Sequence, residues 1–162
     1  MSVFRPATLG GIETSKNIAN YKATAETKLG ALVKINDADK TFTTVSSEDE
    51  AKAAVYALWQ YPNADFSSVL GKGTNYHNIA KGEFGRLLYL PSLAGIKDGV
   101  EIGGDIIATG TYAKGDILVA GANGTYGKVE IATGYAVALI IRDIIDEYDG
   151  KRYICEISTD NK

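Results

Sequence analysis

The residues from which enzymes assemble reactive sites are scarce in this chain. Among 162 residues there is one histidine, His77, and one cysteine, Cys155. A single cysteine excludes an internal disulfide and a thiolate metal cage. One histidine with one distant cysteine does not supply the ligand set of a zinc site. A Ser-His-Asp triad would have to use His77, which lies in Tyr76-His77-Asn78 without a G-x-S-x-G nucleophile motif. No catalytic residue, metal or cofactor is therefore expected, and the chain reads as a binding protein rather than an enzyme. Long apolar runs are also missing. Nothing approaches the roughly 18–20 consecutive apolar residues of a membrane helix, so no membrane partner is expected. Residues 1–17 lack the apolar block of a signal peptide, which predicts a protein that stays in the compartment where it is made.

What is present is enough for a core: 45% of the residues are apolar, and the length fits one domain, or one domain plus an arm. The net charge is −3, which argues against a nucleic-acid partner, since such binders carry a basic patch. The charge is uneven. Residues 1–34 hold five basic residues (Arg5, Lys16, Lys22, Lys28, Lys34) against Glu13 and Glu26, so the remainder is strongly acidic. This asymmetry predicts that the first segment meets a different partner from the rest. Residues 1–24 show neither helical nor strand periodicity, and scattered apolar residues there alternate with Gly10-Gly11, Pro6, Ser and Thr. They read as an extended N-terminal arm, with residues 25–162 as a single β-rich domain; the bland reading is an arm folded back on its own domain.

The domain reads as mainly β (α+β): a barrel or sandwich of short antiparallel strands with one amphipathic helix. Ala31–Asn36 and Thr41–Ser46 flank a turn and predict a hairpin. Ser47 and Glu50 form a capping box, followed by Ala51, Ala54, Val55, Leu58 and Trp59 at helical spacing, before Pro62. The predicted helix spans about 47–61. A polar loop covers 63–83. Strands are then expected over Phe84–Leu90, Val100–Ile102, Asp105–Thr109, Asp116–Ala120, Lys128–Ala132, Tyr135–Ile141 and Arg152–Ser158, with Tyr153, Cys155 and Ile157 on one face. Gly71-Lys-Gly-Thr74 fails as a phosphate loop, because no helix pattern starts there. Asp143, Asp146, Glu147 and Asp149 offer oxygen ligands without EF-hand spacing, and read as a solvated turn.

The order Lys81-Gly-Glu-Phe-Gly-Arg86, Leu90-Pro-Ser-Leu-Ala-Gly95, Lys114-Gly-Asp-Ile-Leu118 and Gly134-Tyr-Ala-Val-Ala-Leu139, then a final strand, resembles the small head-decoration (cement) proteins of tailed bacteriophages. The resemblance covers roughly residues 81–158 and rests on turn-and-strand patterns. It implies a structural virion protein, made in the host cytoplasm, that sits outside the capsid lattice as a homo-oligomer, most often a trimer. Its partner would be the major capsid protein. Phe4, Arg5, Leu9, Ile12 and Lys16 would then be the capsid contacts. The other readings are a head–tail connector or fibre base, a carbohydrate-binding module, and, last, a small hydrolase using His77.

Overall fold

Strand residues alternate between two faces, and a strand needs two apolar surroundings when both faces are buried. That condition governs this fold. The computed structural model describes residues 3–7, 16–60, 78–148 and 150–161. Their strands are β1 (Val3–Pro6), β2 (Lys16–Ala23), β3 (Leu32–Asn36), β4 (Thr41–Thr44), β5 (Tyr56–Gln60), β6 (Phe84–Tyr89), β7 (Val100–Gly103), β8 (Ile117–Ala120), β9 (Tyr126–Val129), β10 (Ala138–Glu147) and β11 (Gly150–Ser158). Five of them close into a barrel in the order β2-β4-β3-β5-β6, with β2 and β4 parallel. The other six form a sheet in the order β1-β7-β11-β10-β8-β9. The fold is thus β-rich with one small helix, as expected.

Two cores follow from the alternation. Val33, Phe42, Leu58 and Leu87 fill the barrel. Gly85 leaves the room that Phe42 needs: a Cβ there would lie 2.7 Å from the Phe42 ring. The opposite side of the same strands, Leu32, Ala57 and Leu88, packs with Ile102, Leu139, Cys155 and Ile157 of the six-stranded sheet. Tyr153, Cys155 and Ile157 are buried together, as their spacing predicts.

The helix is shorter than expected. It spans Glu48–Ala53 (α1) and buries only Ala51. Residues expected to continue it form β5 instead. Leu58 enters the barrel core and Trp59 packs against the other core, a split that one helical stripe cannot make. The helical spacing of Val55, Leu58 and Trp59 was coincident with strand alternation, and tertiary burial decided between them. The start of the helix agrees with the sequence. Ser47 Oγ accepts the Glu50 amide at 3.3 Å, but the Glu50 carboxylate accepts from the amide and hydroxyl of Ser46 and pairs with Lys34 on β3.

Three further segments differ. The arm expected over 1–24 joins both sheets where it is described: β1 pairs with β7, and β2 lies in the barrel with Tyr21 and Ala23 buried. Its sparse apolar residues find partners far along the chain, so no local periodicity marks them. Asp105–Thr109 is not a strand; Gly104–Ile106 is a 3₁₀ turn, and Ile107 then bridges to Tyr126 in parallel. Finally, β10 starts at Ala138 and runs through the acidic stretch expected as a turn. A bulge at Arg142 shifts its register between Ile141 and Asp143. The extra residue carries the core-facing set from Leu139 and Ile141 to Ile144, and turns Ile145 outward.

The Glu50 contacts set a pH dependence. The Lys34 ammonium, then the Ser46 amide and hydroxyl, hold the Glu50 carboxyl at about 2, below its ordinary 4.5. A depressed carboxyl stabilises the fold above its unfolded value and loses that contribution as pH falls toward the folded value. Urea midpoints compared at about pH 5 and about pH 3 should fall less for Glu50→Gln than for the wild type.

Candidate binding surfaces

Phe4, Arg5 and Lys16 are described; Leu9 and Ile12 lie outside the described residues. Phe4 is not a surface contact. It is 3% exposed and packs on Gly30, whose φ of +83° and missing Cβ make the seat; a Cβ there would come 2.8 Å from that of Phe4. Arg5, one residue on, faces the other way, and its exposed guanidinium pairs with Glu101 of β7 at 2.8 Å. Lys16 is exposed at the start of β2, where its amide donates to Ser92 Oγ at 3.0 Å. The fold therefore presents Arg5 and Lys16 to solvent and takes Phe4 into the core. No local pattern marks this division, because Phe4 packs against residues far along the chain.

The other marked residues separate similarly. His77 and Gly71–Thr74 lie outside the described residues. Asp143 pairs with Lys114 and Asp146 with Lys151, each at 2.6 Å, and the Lys114 ammonium lowers the Asp143 carboxyl. Among the described residues no group of three His, Cys, Asp or Glu side chains is placed to hold a metal. Trp59 is not an open stacking face for a sugar: it is half-buried, and the Arg86 guanidinium lies 5.8 Å from its ring centroid.

An open pocket of about 290 Å³ lies where the 3₁₀ turn after β7 meets the start of β11. Gly104, Ile107, Gly110, Tyr112, Lys151 and Tyr153 line it. Tyr112 Oη donates to the Ala108 carbonyl at 2.6 Å, and its ring meets Tyr153 edge-on at 5.6 Å. Burial, with Tyr153 and Asp116 nearby, raises the Tyr112 phenol, so it stays a neutral donor. A second aromatic group sits on the barrel: Tyr56 and Tyr89 lie 5.3 Å apart, and Tyr21 donates to Asp37 while Lys40 lies over its ring. Both groups build packed walls from polar side chains and pair each charge locally.

The largest apolar exposures among the described residues lie elsewhere. Tyr148 is 101% exposed and Ile145 39%, both at the far end of the β10–β11 hairpin, Ile131 is 73% exposed after β9, and Phe84 is 46% exposed on β6. Sequence patterning missed these: the bulge that exposes Ile145 is a register shift, and the exposure of Phe84 depends on which barrel face β6 presents. No protein-family model matches the chain, and no curated protein matches it either. Among the described residues no helix is long and apolar enough to cross a membrane.

Two measurements check these placements. Phe4→Ala should lower the unfolding free energy by about 3 kcal/mol, read from urea titrations, because it empties a filled core position. Cys155 is fully buried and its thiol is pushed up to about 12 by burial, so a thiol reagent at neutral pH should label it only at the rate of unfolding.

Proposed function

We propose that the chain is a noncatalytic, structural virion protein that binds the outside of a tailed-phage capsid and stiffens it by bridging capsid subunits. One observation supports this most. The first strand lies at the edge of the six-stranded sheet with Arg5 turned to solvent, close in sequence to the exposed Lys16. A terminal edge strand is a surface to which another chain can add, since one row of its backbone groups faces outward. Its exposed cations suit an acidic lattice, while the strongly acidic remainder of the chain would face away and keep particles apart. Many copies on a lattice turn weak contacts into firm attachment. The partner in this reading is the major capsid protein, and the protein acts as a homo-oligomer, a trimer being the form the resemblance implies. It binds neither nucleic acid nor membrane, and it resides on the virion surface.

Of the described residues in the contact set, Arg5 and Lys16 face solvent, and Phe4 holds the strand in place from behind. Arg5→Gln with Lys16→Glu should reduce co-sedimentation with undecorated heads of the same virus by roughly tenfold or more, with only a small fall in the urea midpoint because the Arg5–Glu101 pair is exposed on the arginine side. Undiminished co-sedimentation would remove the edge-strand contact.

A further inference from the structure

Two exposed apolar patches stand beside charges of opposite sign that have no ion-pair partner among the described residues. At the hairpin end, Glu147 of β10 pairs with Gly150 of β11, and Tyr148 directly follows the last residue of β10. Here β7 pairs only with Arg152–Cys155, and β8 only with Leu139 and Ile140. At Asp146–Glu147 and Gly150–Lys151, β10 and β11 thus pair only with each other. This ribbon is braced by Lys151–Asp146 at 2.6 Å and, nearer the sheet, by Arg142–Glu156 at 2.6 Å. Its apolar side chains, Tyr148 and Ile145, are exposed, and Glu147 has no cationic partner among the described residues. On the barrel, Phe84 of β6 faces Lys22 of β2 in register, and the Lys22 ammonium lies 5.0 Å from the Phe84 ring centroid. Lys22 has no carboxylate partner among the described residues.

We infer that the ribbon end of one copy docks on the Lys22–Phe84 face of a second copy, Tyr148 and Ile145 against Phe84 and Glu147 against Lys22. The two patches match in both respects: each offers an apolar side chain, and the charges beside them are opposite. Aromatic contact and charge pairing add, and each alone is weak when solvated. The contact is heterologous, because the two surfaces differ; such contacts close into a ring when the rotation permits. The small area implies a weak single contact that ring closure strengthens. The inference does not depend on the capsid reading, since it concerns the isolated protein.

Sedimentation velocity over about 10 µM to about 1 mM tests it. The wild type should self-associate, and association should weaken as salt rises. Tyr148→Ser and Phe84→Ser should each weaken it by roughly tenfold or more while the urea midpoint stays near that of the wild type, because both side chains are exposed. Mixed together, these two variants should form a one-to-one complex, since each retains the surface the other lacks. Glu147→Lys and Lys22→Glu should each weaken association, and the double variant should regain it. A wild type that stays monomeric across this range overturns the inference. So does association that survives both serine variants unchanged, or a mixture of the two that forms no complex.

Discussion

A single apolar layer shared by two sheets is the constraint on which the structure depends. Leu32, Ala57 and Leu88 leave the barrel on its outer side and meet Ile102, Leu139 and Cys155 of the six-stranded sheet. Neither sheet could keep these residues from water alone. The barrel strands nearest this layer are buried on both sides, which is why β5 and β6 carry nearly continuous apolar runs. Within the layer Tyr126 is 2% exposed, and its hydroxyl finds no hydrogen-bond partner among the described residues. A phenol kept there stays neutral, because burial raises its ionisation far above the ordinary value.

Electrostatics at the surface is arranged in short pairs. Lys52–Glu48, Lys128–Asp116 and Lys114–Asp143 each join groups that solvent reaches. Such pairs contribute little to stability. Their effect is on where charge remains unanswered. Charges with no ion-pair partner among the described residues, such as Glu147 and Lys22, set the fields that a second molecule meets. The charge asymmetry of the chain therefore acts through particular residues and not as a diffuse property of its two parts.

Much of the fold was legible in the residues. The β3–β4 hairpin, the strand before Pro91, the β8–β9 turn at Asn123-Gly124 and the inward face of β11 all followed from local signals. Those signals failed where distant contacts decided the outcome. Residues 54–60 fit both a helix and a strand, and only the presence of two separate cores selects the strand. Phe4 carries no periodic neighbours, so its burial on Gly30 had no local trace. The candidate surfaces were less legible than the fold. Arg5 and Lys16 stood out as charges, whereas the exposure of Ile145 comes from one inserted residue in β10.

The pairing of β1 with β7 also bears on how the molecule is made. Arg5 and Glu101 are 96 positions apart. At the usual ~5–20 residues per second, a ribosome takes roughly 5–20 s to produce the second strand after the first. During that interval the first strand has no sheet to join, and the seat on Gly30 forms only once the barrel does. The beginning of the chain is therefore among the last parts to be secured, and its closing contact, made across such a sequence separation, belongs to the slow end of folding.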